Sequence, residues 1–151
     1  MALGDRMVVI ENGAIVQTGT PAEVTARPRS GYVADLTGVN LLRGTAQGTL
    51  LELDGGGQLT CTGPAAGPTL AIIAPAAVSV SRQRPDGPQP NTWPGPIGAV
   101  DLMGDRVRVR VEGKPAITAE VLPAAVDELR LNDGGELWTA VNPAAITVYP
   151  P

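Results

Sequence analysis

The sequence predicts a mainly β protein in which two related small β units follow a short β-hairpin and a helix. Three observations lead to this prediction. The chain has 19 Gly and 15 Pro among its 151 residues, which favours many short strands joined by turns. Apolar and polar residues alternate in several short runs, as expected for strands with one buried face. The end of the chain also repeats a pattern found near its middle, which indicates duplicated units.

The first predicted element is a β-hairpin that leads into a helix. Residues 7–10 (MVVI) are apolar and mostly β-branched, and Asn12 and Gly13 form the dipeptide preferred in a tight hairpin turn. Thr20 is a favourable helix N-cap, and Glu23 stands three residues later, as in a capping box. A hairpin with one short helix is too small to be stable alone in water. We therefore expect this segment to pack on another part of the protein.

The rest of the chain contains an internal repeat, with copies over about 39–81 and 90–149. Both copies start with N-x-x-x-G, at Asn40 and Asn91, and both end with P-A-A-[VI]-[ST]-V. The second copy is longer, and its extra residues are predicted around 113–128. Two copies indicate a pseudo-symmetric pair rather than a solenoid, which needs three or more repeats. Several short strands with turns between them favour small barrels of the five-stranded oligonucleotide-binding (OB) type.

The predicted strands within the copies are 49–53, 58–62, 70–73, 97–102, 106–112, 117–121, 136–141 and 145–149, with a brief helix over 123–129. The strand 106–112 alternates Arg with Val, so Arg106, Arg108 and Arg110 share one face. We interpret this arginine row as a solvated face balanced by Asp105 and Glu112. The row is also an alternative source of cations for an anion site.

Composition disfavours several function classes. The chain has no His, no G-x-x-x-x-G-K-[ST] phosphate loop and a net charge of −4, so neither catalysis, a metal site nor nucleic-acid binding is predicted. Cys61, Trp93 and Trp138 are interpreted as packing residues rather than a reactive thiol and base-stacking platforms. No run is long enough to span a membrane and no signal peptide is evident. A cytoplasmic protein is expected.

The N-terminal segment resembles the last strands of the ATP-binding subunit of an ABC transporter. The similarity lies in residues 4–6 (GDR), 8–13 (VVIENG) and 17–21 (QTGTP), in that order and at that spacing. Residues 36–44 (LTGVNLLRG) are similar to the join between that ATPase domain and a following domain. A chance hairpin is the alternative explanation.

The tract 37–149 resembles the TOBE domain, also called a Mop or di-Mop domain, that follows the ATPase domain in molybdate- and sulfate-type importers. Together the two resemblances cover essentially the whole chain. They imply a remnant of the ATPase domain over 1–36 and a TOBE/Mop-like β domain over 37–151.

The resemblance implies a C-terminal regulatory and dimerisation region of an importer ATPase that senses molybdate or a sulfate-type oxyanion. ATP and Mg²⁺ would bind elsewhere in the full-length subunit, and this part would need no cofactor. The implied partners are a second copy of the subunit, the membrane permease subunits and the oxyanion, with the complex on the inner face of the membrane. The alternatives are a free-standing molybdate-binding (molbindin-like) protein, an accessory domain of a polyamine, sugar or iron importer ATPase, and an OB-type nucleic-acid binder, which the charge disfavours.

The resemblance also implies oxyanion-binding residues at Thr37, Asn40, Asn91 and Asn142. The molybdate-binding form of the motif resembles Ser-Ala-Arg-Asn, whereas residues 37–40 are TGVN and residues 88–91 are PQPN, so the arginine is missing twice. A lysine common at the far end of each copy is replaced by Ala74 and Asn142. Two lost charge-assisted hydrogen bonds would weaken anion binding by roughly 10²–10⁴-fold. The simpler interpretation is that Asn40 and Asn91 are turn residues only.

Overall fold

The computed structural model describes residues 6–31, 34–35, 38–87 and 90–151. The elements whose bounds lie within these residues are ten strands, two short α-helices and three 3-10 turns, so the predicted mainly β class is confirmed. The strands are β1 (Met7–Glu11), β2 (Ala14–Gly19), β3 (Asn40–Leu53), β4 (Gln58–Ile73), β5 (Val78–Ser81), β6 (Thr92–Met103), β7 (Arg106–Val111), β8 (Ile117–Val121), β9 (Glu136–Val141) and β10 (Thr147–Tyr149), and the helices are α1 (Pro21–Ala26) and α2 (Ala124–Glu128). The sequence also predicts a helical turn over 32–36, of which only residues 34 and 35 are described, and both are helical.

The N-terminal hairpin and helix are present as predicted. Strands β1 and β2 form a separate two-stranded antiparallel sheet, and Asn12 and Gly13 have the positive φ angles that their turn requires. The capping box of α1 is complete, because the Thr20 hydroxyl accepts from the Glu23 amide while the Glu23 carboxylate accepts from the Thr20 amide. Val9 and Val24 are buried together as a small core that joins the sheet to the helix.

The remaining strands form two larger sheets, in which the two copies of the repeat exchange their last strands. The order in the first sheet is β10-β4-β3, and in the second it is β5-β9-β6-β7-β8. Strand β5 belongs to the first copy but pairs with β9 of the second, while β10 of the second copy pairs with β4 of the first. Each sheet is therefore completed by a strand from the other copy, and neither copy has a complete sheet alone.

The central hairpin is longer than the sequence pattern predicts. Strands β3 and β4 pair over nearly their full length, and the predicted strands 58–62 and 70–73 are parts of the single strand β4. In the second copy, helix α2 and a 3-10 turn at Leu131–Asp133 lie between β8 and β9, where the first copy has continuous strand. These elements are among the extra residues of the second copy, and they lie partly beyond the predicted range 113–128.

The glycine of N-x-x-x-G is required by close contact between backbones. A Cβ built on Gly44 would lie 2.2 Å from the carbonyl oxygen of Glu52, and one built on Gly95 would lie 2.5 Å from the amide nitrogen of Gly113. Both distances are far below van der Waals contact. The repeated glycine therefore marks a place in each copy where another stretch of backbone passes directly over the start of the unit.

One hydrophobic core spans both copies. It includes the fully buried side chains Leu51, Leu59, Ile73, Val109, Val111, Ile117, Leu137 and Val141. Cys61 and Trp93 lie in the same core, which agrees with their interpretation as packing residues. The Trp93 indole donates to the carbonyl of Pro115 at 2.9 Å, so its polar atom is also satisfied.

The N-terminal segment is attached to the β module through the linker after α1. The Tyr149 hydroxyl donates to the Pro28 carbonyl at 2.5 Å, and the Arg43 guanidinium donates to the Arg29 carbonyl at 2.9 Å. The buried Gln17 side chain bonds both Arg27 and Arg29, which fixes the path of the linker. Within the part of the chain that the structure describes, no helix has the length and apolarity needed to cross a membrane.

Candidate anion-binding site

The two repeat asparagines connect the copies through equivalent sets of hydrogen bonds. The Asn40 side chain donates to the Thr118 carbonyl at 2.9 Å and the Ile73 carbonyl at 3.2 Å, and it accepts from the Thr118 amide at 2.8 Å. Because Thr118 belongs to the second copy, the Asn40 amide crosses between the copies. It bonds both backbone polar groups of Thr118, as a neighbouring strand would.

Asn91 makes an equivalent set of three bonds, and these reach from the second copy to the first. Its side chain donates to the Thr60 carbonyl at 2.8 Å and the Val141 carbonyl at 3.2 Å, and it accepts from the Thr60 amide at 2.6 Å. Thr60 lies on β4 of the first copy, so the two asparagines are related by the pseudo-symmetry of the repeat. Both asparagines are at least nine-tenths buried, and Asn91 has a positive φ of 57°.

The hydrogen-bonding capacity of both side chains is therefore largely used within the protein. An amide offers two N–H donors, and Asn40 and Asn91 each direct theirs at two carbonyls. An anion contact from either side chain would require one of these bonds to break. The oxyanion role predicted for them stays a prediction, and their observed contacts are structural.

Of the other two predicted site residues, the structure describes only Asn142. Thr37 is outside the described residues. Asn142 is exposed, and its side-chain oxygen accepts from the Ala144 amide at 2.9 Å, which caps the 3-10 turn before β10. Asn142 directly follows Val141, the partner of Asn91, so Asn91 and Asn142 lie close together. Asn40 lies at the equivalent position of the first copy.

A cavity lies beside Asn40 and another lies beside Asn142. One of about 260 Å³ is lined by Asn40, Gly38, Thr118, Arg108 and Arg110, among others. The other, of about 340 Å³, lies beside Asn142. Only the first is lined by arginine side chains.

The arginine row on β7 is thus only partly the solvated face that the sequence predicts. Arg106 is exposed beside Asp105, at 3.8 Å. Arg108 and Arg110 are half-buried and line the cavity next to Asn40. The sequence carries no local signal for this difference, because the wall opposite β7 comes from residues about seventy positions earlier in the chain.

The pKa shifts of Cys61 and Tyr149 and the contact between Arg84 and Trp138 reflect the packing of these side chains, and they do not indicate a binding site. Burial raises the pKa of the Cys61 thiol, which disfavours the reactive thiolate. Burial also raises the pKa of Tyr149 to about 12, although the guanidinium groups of Arg27, Arg29 and Arg43 oppose the rise. Trp138 is half-buried, with the Arg84 guanidinium 5.5 Å from its ring centre.

The fold defines a β module of two duplicated, strand-exchanged units, and comparisons with known proteins agree with this class. Residues 88–148 match the TOBE domain. The chain is similar to the cytoplasmic molybdate-binding protein ModG in its molybdate-bound crystal form, with a TM-score of 0.65, 19% identity, and coverage of 74% of this chain and 96% of that one. The predicted fold with two OB-like, TOBE/Mop-like pseudo-repeats is confirmed.

The chain is also similar in sequence to the ATP-binding subunits of importers. The chain is 32% identical to the molybdenum import ATP-binding protein ModC of Mycobacterium tuberculosis (strain H37Rv), over 98% of this chain and 42% of that protein. It is 31% identical to the sn-glycerol-3-phosphate import ATP-binding protein UgpC of Jannaschia sp., over 99% of this chain and 41% of that protein. The predicted relationship to the ATP-binding subunits of ABC importers is confirmed, and the chain spans less than half the length of these relatives.

Proposed function

We propose that this chain is the C-terminal regulatory and dimerisation region of the ATP-binding subunit of an ABC importer for molybdate or a sulfate-type oxyanion. The observation that carries the proposal is the joint similarity: 98% of the chain aligns with a molybdenum import subunit, hairpin included, and the β module has the fold of a molybdate-binding protein. The ATPase activity, with ATP and Mg²⁺, belongs to the remaining part of such a subunit.

The outer face of the N-terminal hairpin supports this placement. Val8, Ile10 and Ile15 are 53%, 60% and 65% exposed, and all three lie on the side of the sheet away from α1. A two-stranded sheet with an uncovered apolar face is not stable by itself in water. The rest of an ATPase domain would cover this face, and the TOBE module would then follow directly after it.

The proposed partners and location follow from the same role. The subunit works as a homodimer with membrane permease subunits, in the cytoplasm at the inner face of the membrane. The oxyanion binds reversibly to the TOBE module and reports the internal concentration, so that import slows when the anion accumulates.

Two alternatives have a specific observation in their favour. A free-standing molybdate-binding protein is favoured by the strand-exchanged core, in which the two copies complete each other's sheets. The N-terminal hairpin has no role in such a protein. An importer for another anion is favoured by the similarity to the glycerol-3-phosphate import subunit.

The importer role is tested in cells that carry the full-length subunit. Residues 38–151 are deleted, and uptake of molybdenum and sulfur is followed by mass spectrometry after the cells have been loaded with molybdate or sulfate. We expect uptake to continue but to lose its inhibition by the loaded oxyanion. Uptake that keeps the same inhibition after the deletion would contradict a regulatory role for this region.

A further inference from the structure

The cavity beside Asn40 collects cationic groups from the second copy of the repeat. One wall is the segment around Gly38 that leads into β3, and the opposite wall is the outer face of β7 and β8. Its volume of about 260 Å³ is that of about nine water molecules in the liquid. A tetrahedral oxyanion with part of its hydration shell fits this space.

Arg108 lines this cavity and has an unused donor. Its Nε atom is buried and has no hydrogen-bond partner, and the side chain makes no ion pair within residues 6–31, 34–35, 38–87 and 90–151. A Cβ built on Gly38 would lie 2.7 Å and 2.8 Å from the two terminal nitrogens of Arg108. The guanidinium therefore occupies the space that a side chain at position 38 would fill, and the positive φ of 74° at Gly38 suits glycine.

Arg110 and Thr118 supply further donors on the same wall. The Arg110 Nη1 atom donates to the Thr118 hydroxyl oxygen at 3.1 Å, which leaves the Thr118 O–H free to donate to a ligand. Arg110 also approaches Glu112 at 3.4 Å, but both side chains are about half exposed and such a pair is weak.

Two backbone amides in the cavity wall, and the Asn40 side chain, already have partners within the protein. The amides of Gly38 and Val39 already donate to the carbonyls of Asp35 and Ala34, and the Asn40 side chain is committed to backbone groups. Asp35 also lines the cavity and is exposed. Its carboxylate opposes an anion there.

We infer that Arg108, Arg110 and Thr118 form an anion site for a tetrahedral dianion, either a free inorganic oxyanion or the phosphate of a monoester. Guanidinium groups suit this ligand because each can donate two parallel hydrogen bonds to a pair of its oxygens. This inference rests on the proposed oxyanion function, but it assigns the binding to different residues from those that the sequence predicts. The cations come from β7 of the second copy, and not from the segment before β3.

The test is calorimetric titration of the purified chain at constant ionic strength, with molybdate, sulfate, inorganic phosphate and sn-glycerol 3-phosphate in separate arms. The variants R108Q and R110Q are each expected to weaken binding at least tenfold, because each removes a charge-assisted contact. R106Q is the matched control on the same strand, since Arg106 does not line the cavity, and it should bind within twofold of the parent. D35N removes the opposing carboxylate and should bind a few-fold more tightly.

The outcomes separate the site from the wider function. Parent-like binding by both R108Q and R110Q would overturn the site but leave oxyanion sensing intact. No binding of any arm by the parent chain would overturn both the site and the sensing, while the importer relationship would stand. Binding of the inorganic anions alone, or of the monoester as well, supports the site and identifies the source of its ligand.

Loss of the fold in R108Q would not prevent the test. T118V replaces the hydroxyl with a methyl group and leaves the bonds between the Thr118 backbone and Asn40 in place. This variant should fold normally, as judged by circular dichroism, and weaken binding at least threefold. Unchanged affinity in T118V would overturn the site.

Discussion

Replacing Asn91 by alanine should destabilise the protein by about 4 kcal/mol, because Asn91 joins the two copies of the repeat. The substitution removes three hydrogen bonds, to Thr60 at 2.6 and 2.8 Å and to Val141 at 3.2 Å. At about 1 kcal/mol net for each bond, the loss is about 3 kcal/mol. Alanine would also have to adopt the positive φ of 57°, which adds about 1 kcal/mol. The equivalent Asn40→Ala variant loses three similar bonds without that backbone term, so about 3 kcal/mol is expected there.

The assay is urea unfolding, followed by tryptophan fluorescence and circular dichroism to check that both probes report one transition. For a chain of this length, 4 kcal/mol corresponds to a melting temperature roughly 8–16 °C lower. Asn132→Ala is the control, since Asn132 is exposed and should change stability by less than about 0.5 kcal/mol. A loss below 1 kcal/mol in both Asn40→Ala and Asn91→Ala would refute the reasoning that these side chains hold the copies together.

Three further predictions concern packing and pH. Gly44→Ala should strongly destabilise the fold, because its Cβ would lie 2.2 Å from a backbone oxygen, whereas Gly55→Ala, with nothing within 4 Å, should be neutral in the same unfolding assay. Tyr149→Phe leaves the Pro28 carbonyl without its donor and should cost about 1–3 kcal/mol. The pKa of Tyr149 is raised to about 12 in the folded protein. Its contribution to the free energy of unfolding is therefore complete below pH about 10, the ordinary tyrosine pKa, and is lost as the pH rises towards 12. The Phe variant should lack this part of the decline in stability at alkaline pH. Cys61 should react with an alkylating reagent at pH 8 only as fast as the protein unfolds, because it is buried and its pKa is raised; rapid labelling of the folded protein would contradict this.

Local patterns in the sequence are sufficient to predict the short-range elements. The Asn12-Gly13 turn, the capping box of Thr20 and Glu23, and the alternation along β7 depend on residues within a few positions of each other. The duplication could also be predicted, because matched motifs stand at both ends of the two copies. The order and spacing of residues 4–6, 8–13 and 17–21 were enough to predict the similarity to importer ATP-binding subunits that the comparisons show.

Tertiary structure decides how the copies are joined and which cations meet a cavity. The same terminal motif could complete its own copy's sheet or the other's, and only packing selects the exchange of β5 and β10. N-x-x-x-G indicated a turn, but the roles of the asparagine amide and the glycine depend on strands many residues away. Likewise, Arg106, Arg108 and Arg110 are equivalent in a period-two pattern, yet only the last two line the cavity beside Asn40. These features depend on contacts between segments that are distant in the sequence. The residue pattern of one strand does not show which other segment packs against it.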